Sequence, residues 1–219
     1  MSEPTLVPPG GGEVIGDSPD RRVEILSDDD SVHATWSRFA PGRDGADLHV
    51  HRRHTDIFYV LAGELTVRLG VQDERVTVPA GRFAIVPPLV VHGFRNGGDA
   101  ELRYLNFHVP GVGFADYMRG LRDGRKVIYD QEDPPADGGR PIEEAAVSDR
   151  VDIDAIAIAE ATRSSDADGL RFYYALDGEL LLTADGHELR GAPGAWIQAA
   201  GTHTVAGGRY VVVSSGPRA

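Results

Sequence analysis

The sequence predicts an all-β protein, with two β-barrels in one chain and a short helical linker between them. From Arg22 to Val109, apolar and polar residues alternate in short runs, which Gly, Pro and Asp interrupt every roughly 8–12 residues. The second observation is an internal repeat, because IFYVLAGELTVRL at 57–69 returns as FYYALDGELLLTA at 172–184, an offset of 115 residues. A long match that recurs in order is most simply explained by two copies of one β module.

The repeat and the local composition divide the chain into four segments. We expect a flexible, Pro- and Gly-rich arm at residues 1–20 and an N-terminal barrel at 21–110. Residues 111–145 should form a linker of one helix and a turn-rich loop, and residues 146–219 a degenerate second barrel. The helix is predicted in GFADYMRGLRDG, where these residues recur at helical spacing before a glycine C-cap: Phe114, Tyr117, Met118 and Leu121, then Gly124.

The composition excludes several classes of function. The 219 residues carry a net charge of -12 and one lysine, Lys126, so a nucleic-acid or anionic-membrane partner, which needs clustered basic residues, is not expected. No cysteine is present, which excludes disulfides, thiolate metal sites and cysteine nucleophiles. No apolar run reaches the length of a membrane span, and the acidic N-terminus lacks the features of a secretory signal, so a cytoplasmic protein is expected.

Histidines and one aspartate around the strand DIFYVL are the candidates for chemistry. His49 and His51 lie two residues apart, so their side chains project from the same face of an extended segment. Asp56 shares the parity of Phe58 and opens the inward-facing row of the strand, where an unpaired carboxylate is costly. His92 follows the later stretch GRFAIVPPLVV. Three imidazoles and a carboxylate suit one divalent transition metal. The ligand types do not distinguish among Fe, Mn, Ni, Zn and Cu.

These residues fall on two motifs by which the chain resembles the cupin superfamily. The first motif is matched by His49-Val-His51, four residues, Asp56, six residues and a glycine. The glycine that ends the first motif is Gly63. The second motif is matched by Gly81, five residues, Pro87, four residues, His92, three residues and Asn96. The resemblance covers about residues 30–110 well and the second half weakly. It implies a jelly-roll barrel, or double-stranded β-helix, for each copy, with His49, His51, Asp56 and His92 as metal ligands.

Three positions depart from the cupin pattern. Asp56 stands where the first motif has Glu, Leu89 replaces the turn glycine of the second motif, and the leading glycine of the first motif is displaced to Gly45. An aspartate side chain is shorter than that of glutamate by one C–C bond, about 1.5 Å. Either the backbone shifts, or a water bridges, or three histidines hold the metal without the carboxylate. We favour direct ligation by Asp56.

The resemblance also implies a function. The stretch LHVHRRHTDIFYVLAGEL is most similar to the quercetin-dioxygenase-like cupins. This implies a dioxygenase-like oxidoreductase, which uses its metal on a small oxygen-rich, keto or diol substrate, with Phe94, Tyr104 and His108 shaping the pocket. Two alternatives stay open: a cupin that binds a sugar or metabolite through the metal, as a binding module or isomerase, and a metal-free, non-catalytic cupin. The expected partner is a small molecule, and the protein is expected as a monomer or homodimer.

Residues beside the first motif are given structural roles. His54 matches no ligand position of the motif and is expected to be a solvated turn residue. Arg52 and Arg53 are expected at a solvated hairpin edge. Because an imidazole must be neutral to bind a metal, metal affinity is expected to fall as the pH drops below the ordinary histidine range near 6.5.

The second copy is expected to be free of metal. At the offset of 115 residues, the three ligand positions before His92 fall on Ser164, Asp166 and Arg171, which do not make a transition-metal site. His203 lies nine residues after Gly194, whereas His92 lies eleven residues after its own glycine, so the two histidines are not assumed equivalent. A structural role is expected for this half of the chain.

Overall fold

The computed structural model describes residues 3–153 and 156–215. The chain divides into two compact units, of which one is Glu13–Ser148 and the other combines Met1–Gly12 with Asp149–Ala219. Strands that pair in antiparallel fashion make up most of the described residues, so the predicted all-β class is confirmed. Within the described ranges, no helix has the length and apolar character that crossing a bilayer requires.

The first half of the chain contains ten strands and one α-helix among its described residues. The elements are β1 (Thr5–Val7), β2 (Glu13–Ser18), β3 (Arg21–Asp28), β4 (His33–Phe39), β5 (Thr55–Ala62), β6 (Glu64–Leu69), β7 (Glu74–Pro79), β8 (Phe83–Val86), β9 (His92–Arg95), β10 (Leu102–Val109) and α1 (Phe114–Asp123).

The second half begins with a 3-10 turn and is otherwise built of strands in the part that is described. The elements are the 3-10 turn (Ile142–Glu144), β11 (Ala146–Ser148), β12 (Arg150–Ile153), β13 (Ile156–Ala161), β14 (Ser165–Ala167), β15 (Arg171–Ala184), β16 (His187–Gly191), β17 (Trp196–Ala199) and β18 (His203–Ser215).

Two antiparallel sheets form the first unit. One has the order β11-β8-β5-β10-β4-β3-β2, and the other has the order β7-β6-β9. The alternation in β5 places Phe58 and Val60 in the core, as their shared parity predicts. Tyr59, of the opposite parity, packs instead on Phe83, with ring centroids 4.7 Å apart. Asp56 therefore stands at the head of the row that faces the interior.

The second unit is one antiparallel sheet of the order β1-β17-β15-β18-β13-β12, to which β14 adds on β18 and β16 on β15. The repeat FYYALDGELLLTA lies within β15, and its partner IFYVLAGELTVRL spans β5 and β6, so both copies are extended as predicted. Alternate residues of the repeat are buried in the core of this unit: Tyr173, Ala175, Leu180, Leu182 and Ala184.

The segment boundaries differ from those expected. The segment 1–20, expected to be a flexible arm, contains β1 and β2, and β1 pairs with β17 of the second unit. The segment 111–145, expected to link two barrels, belongs wholly to the first unit. Its predicted helix is confirmed as α1, and Gly124 caps the helix at a φ of 65°, a left-handed conformation that glycine adopts without steric cost.

Candidate metal centre

Three histidines converge in the first unit. His49, His51 and His92 each offer one ring nitrogen, and these atoms all lie within 4.8 Å of one another. The side chains are buried, with exposed fractions of 5%, 3% and 1%. His49 and His92 exchange two backbone hydrogen bonds, of 2.8 and 2.9 Å, which tie the segment before β5 to the start of β9. Pairing of the two motifs in the fold thus brings the predicted histidines together.

Backbone carbonyls orient all three rings. Nδ1 of His49 lies 2.6 Å from the Asp47 carbonyl and Nδ1 of His92 lies 3.0 Å from the Val90 carbonyl. Nδ1 of His51 is hydrogen-bonded to the carbonyl of Asp130. A carbonyl can only accept, so each Nδ1 carries the hydrogen and, in a neutral ring, each Nε2 presents a lone pair. A fixed tautomer of this kind is what a metal-binding histidine requires.

The facing nitrogens make an unfavourable arrangement without a cation. Nε2 of His49 and Nε2 of His51 lie 3.0 Å apart, and neither has a hydrogen to share in the neutral state. Burial lowers the pKa of His49 to about 4, and it also lowers the pKa of His51 strongly, so both rings are neutral at pH 7. Two lone pairs that point at each other repel unless a proton or metal lies between them. The donor set therefore fits a transition metal.

Asp56 lies against this cluster. Its Oδ2 is 3.3 Å from Nε2 of His92 and 3.9 Å from Nε2 of His51. Its Oδ1 accepts a hydrogen bond from the Asn106 amide and lies 3.3 Å from Nε2 of His108. Burial alone would raise the pKa of Asp56, but the neighbouring His108 and His92 outweigh burial and hold that pKa well below its ordinary value. The site therefore contains a buried, ionised carboxylate beside the neutral imidazoles of His49 and His51.

Asp130 supports the site, and no motif of the sequence indicated this role. Besides the carbonyl that holds His51, its carboxylate accepts the backbone N–H groups of Arg52 and Arg53 at 3.0 and 2.8 Å. It also accepts from Nδ1 of His54 at 3.1 Å. Burial raises the pKa of Asp130, and the backbone donors of Arg52 and Arg53 more than compensate, so the pKa is lowered. This residue lies in the segment expected to be a turn-rich linker loop. A carbonyl that supports a ligand can come from any residue type, so composition carries no signal for it.

His54 is not a solvated turn residue, and that expectation was wrong. Its side chain is 1% exposed, and its Nε2 lies 3.1 Å from the hydroxyl of Tyr129. The segment around Tyr129 and Asp130 covers the turn and excludes water from it. Burial lowers the pKa of His54 to about 4. Arg52, in contrast, is exposed and forms an ion pair of 2.6 Å with Glu132, as a hairpin edge would.

A chain of contacts connects the two carboxylates. It runs from Asp130 to His54 at 3.1 Å, to Tyr129 at 3.1 Å, to Nδ1 of His108 at 2.7 Å, and from Nε2 of His108 to Asp56 at 3.3 Å. Two neutral imidazoles and one phenol supply three hydrogens for these four contacts. The chain is fully hydrogen-bonded only when it holds one additional proton.

A cavity of ≈ 320 Å³ opens beside the histidines. His49, His51 and Asp56 line it, as do the three side chains predicted for the pocket: Phe94, Tyr104 and His108. Gly45, the displaced glycine of the first motif, lies under Phe94, because a Cβ atom at this position would come within 2.2 Å of that ring. Leu89, which replaces the turn glycine of the second motif, nevertheless adopts a left-handed φ of 68°.

Comparison with known proteins places the fold among known ones. Residues 35–108 match the family model described as the cupin domain. The fold is similar to YlbA from E. coli, with a TM-score of 0.69 and 13% identity over 99% of this chain and 92% of that one. It is also similar to the bacterial pirin YhhW from Escherichia coli in complex with nickel(II), with a TM-score of 0.66 and 10% identity over 99% of this chain and 100% of that one.

The fold is a cupin fold. A variant of oxalate decarboxylase from Bacillus subtilis shares it with a TM-score of 0.59 and 10% identity, over 95% of this chain and 75% of that one. No curated protein matches the sequence. At these identities the solved structures establish the cupin fold alone. The finer resemblance to quercetin-dioxygenase-like cupins stays a prediction.

Sheet register identifies which residue of the second unit corresponds to His92. His92 lies opposite Leu69, and His203 lies opposite Ala184, which is the repeat equivalent of Leu69. His203 is therefore the counterpart of His92, although its turn is shorter. Its Nδ1 lies 2.7 Å from the carbonyl of Gly201, two residues earlier, as in the first copy.

At the positions that correspond to His49 and Asp56, the second unit has different residues. Ala167 lies opposite His203 as His49 lies opposite His92, so Ala167, three residues after Ser164, occupies the position of His49. The offset of 115 residues was wrong at this point. The offset of 115 residues is correct for Arg171, which therefore corresponds to Asp56. Arg171 pairs with Ala199 in the second unit, as Asp56 pairs with Val86 in the first. Nε2 of His203 is engaged by the hydroxyl of Tyr173 at 2.7 Å.

Proposed function

We propose that this chain is a metal-dependent cupin enzyme that holds one divalent transition metal through His49, His51, His92 and Asp56. One observation carries the proposal: three buried Nε2 atoms face a common point while every Nδ1 is committed to a backbone carbonyl. A hydrogen-bonded core histidine has no need of this arrangement, whereas a metal ligand does. The ionised Asp56 supplies the negative charge that stabilises a bound dication.

We further propose that the substrate is a small molecule with keto, diol or related oxygen donors and that the reaction is a dioxygenase-like oxidation. The bound metal would supply a Lewis acid with open positions for such oxygen atoms. The protein shapes the space beside it: Phe94 and Tyr104 form aromatic walls, and the ring of His108 lies between Asp56 and Tyr129. His108 is thereby placed to pass a proton between the cavity and the chain of contacts behind it.

Metal analysis and oxygen uptake together test this proposal. Protein purified without chelators should contain close to one transition-metal ion per chain, and the metal-loaded protein should consume oxygen with a member of a panel of diols and keto compounds. Binding of panel members without oxygen uptake would instead support the alternative of a ligand-binding or isomerase-type cupin. Absence of any metal after supply of Fe, Mn, Ni, Zn and Cu ions would contradict the proposal.

For the second unit, we propose a degenerate cupin barrel without a metal. Ala167 has no ligand atom, Arg171 is a cation, and Tyr173 occupies the free nitrogen of His203. One metal ion per chain, retained in His203→Ala, is the expected result. Two ions per chain, or loss of half the metal in this variant, would contradict it.

A further inference from the structure

Arg21 lines the same cavity as the histidines. It is the first residue of β3 and lies opposite Phe39 on β4. Val23 and Ile25, of the same parity, are buried in the core of the first unit, so Arg21 belongs to the inward-facing row of its strand. Its side chain is half-buried. An arginine in such a row is unusual unless an anion accompanies it.

The guanidinium of Arg21 forms no ion pair within 4.0 Å and no side-chain hydrogen bond among residues 3–153 and 156–215, and the exposed Asp20 acts on it only electrostatically. The hydrogen bonds of this residue involve its backbone, with Ser18. Outward-facing arginines of the same sheet behave differently. Arg22 pairs with Asp17 at 2.6 Å, and Arg38 donates to the carbonyl of Ser18 at 2.9 Å. Among the arginines of β3 and β4, the guanidinium without an ion pair is thus that of the residue that faces the cavity.

The neighbouring strand leaves room for this guanidinium. A Cβ atom on Gly16 of β2 would lie 3.0 Å from Nη2 of Arg21, so the guanidinium rests against the backbone of that glycine. Arg21 also acts electrostatically on the hydroxyl of Tyr104, which is hydrogen-bonded to Ser37. One end of the cavity therefore presents a guanidinium, a phenol and a serine, whereas the other end presents the histidines.

The walls between these ends are mostly apolar. Val23, Phe39, Phe94 and Met118 line the cavity together with the polar groups already described. Arg21 is the one arginine or lysine among the residues that line it, and the acids that line it are Asp47 and Asp56. A single guanidinium matches a single carboxylate through two parallel hydrogen bonds. A phosphate dianion would leave one charge uncompensated in this lining.

We propose that Arg21 is the carboxylate-binding residue of the substrate pocket, so that the substrate is an organic acid with metal-binding oxygen atoms at one end and a carboxylate at the other. The inference rests on the proposed metal site and extends it, because it assigns a chemical class to the substrate. An apolar spacer between the two ends fits the walls of the cavity. Arg21 provides specificity and takes no part in the bond-breaking steps.

Paired probes test the proposal by calorimetry on protein loaded with Mn(II). The probes with a second carboxylate are 2-oxoglutarate, 2-oxoadipate and 2-oxopimelate, and each is compared with the monoacid of equal chain length: 2-oxopentanoate, 2-oxohexanoate and 2-oxoheptanoate. All six offer the same chelating 2-oxo acid group to the metal. At least one diacid should bind about 10–100-fold more tightly than its monoacid, because a charge-assisted pair stabilises the complex by this factor.

Arg21→Gln should remove the diacid preference and keep the affinity for the monoacid, and Arg21→Lys should retain part of the preference. Arg103→Gln is the matched control, since this arginine lies on the outward face of β10 and is 53% exposed. It should behave as the wild type does. Equal affinities for all pairs in the wild type, or an unchanged preference in Arg21→Gln, would overturn the proposal. If the proposed metal site were wrong, the wild type would retain no Mn(II), and this outcome is distinct from a lack of diacid preference.

Discussion

Nε2 of His49 and Nε2 of His51 lie 3.0 Å apart, although both rings donate their Nδ1 hydrogens to backbone carbonyls. The two nitrogens are therefore acceptors that face each other in a buried site. A cation that binds both lone pairs relieves the repulsion between them. This relationship links the backbone hydrogen bonds of the fold to the chemistry of the site.

Replacement of His51 should abolish metal binding. His51→Ala removes one of the three converging nitrogens, and the two imidazoles and one carboxylate that stay behind are positioned around the missing ring, so the ion should not survive gel filtration. Elemental analysis after gel filtration measures the metal content. His187→Ala is the control, because His187 is exposed at the start of β16, and it should retain full metal. Full metal content in His51→Ala would show that the ion is bound elsewhere.

The stability of the metal-free protein should fall as the pH is lowered from 7 to 5. Burial lowers the pKa of His49 and of His54 to about 4. Between the ordinary histidine pKa near 6.5 and this value, the unfolded chain binds more protons than the folded chain, so lower pH favours unfolding. Each of the two histidines should cost about 2 kcal/mol of the free energy of unfolding over this interval.

Urea unfolding after chelator treatment measures this change. His49→Gln should reduce the pH dependence, and His187→Gln, at an exposed position, should leave it unchanged. The same pH dependence in His49→Gln and the wild type would contradict the assignment. Because His49 in the folded protein stays neutral down to about pH 4, its own protonation should weaken metal binding only near that pH.

The parts of the site that depend on side-chain identity and spacing were predictable. The spacing of His49, His51 and His92 identifies the cluster, and the parity of Phe58 and Val60 identifies the face of β5 that Asp56 shares. These predictions succeed because alternation in strands is a local property of the chain.

Long-range contacts were not predictable in the same way. Asp130 reaches His51 across 79 positions of sequence through a backbone carbonyl, and it buries His54 by covering the turn. Neither effect depends on a recognisable motif. The offset of the repeat failed at Ala167 for a related reason, because inserted or lost residues between strands shift the alignment without changing sheet register.

Replacement of Asp130 should weaken both the fold and metal affinity. Asp130→Ala leaves the backbone N–H groups of Arg52 and Arg53 and Nδ1 of His54 without their acceptor, at a cost of about 3–5 kcal/mol in the free energy of unfolding. Metal affinity should fall about 10–100-fold, because the carbonyl that orients His51 loses its anchorage. Competition with a fluorescent chelator measures the affinity.

Glu132→Ala is the matched control for Asp130. Glu132 lies two residues later and forms an exposed ion pair with Arg52, with 46% of its side chain exposed. Such a pair contributes at most about 1 kcal/mol, so this variant should bind metal as the wild type does. Equal losses of metal affinity in the two variants would show that the carboxylate of Asp130 has no special role.

Asp56 decides whether the metal has three or four ligands from the protein. Its Oδ2 lies 3.3 Å from Nε2 of His92, close enough to share an ion with it, while Asn106 holds Oδ1. If Asp56 ligates directly, Asp56→Ala should reduce metal affinity by more than the about 100-fold limit of a supporting residue. Asp56→Glu should be tolerated, because the longer side chain has the reach of the usual cupin ligand.

In the competing arrangement, Asp56 only supports a histidine or a bound water. The metal affinities of Asp56→Ala and Asp56→Glu would then rank in the opposite order. Asp56→Ala would then cost about 10–100-fold, and Asp56→Glu would cost more, because the longer side chain enters the open position where substrate binds. Chelator competition ranks the variants, and the visible spectrum of the Co(II)-loaded protein reports the loss of a ligand directly. We expect a changed Co(II) spectrum in Asp56→Asn and Asp56→Ala, and a spectrum close to that of the wild type in Asn106→Ala. An unchanged spectrum in Asp56→Ala would assign the metal to the three histidines and solvent alone.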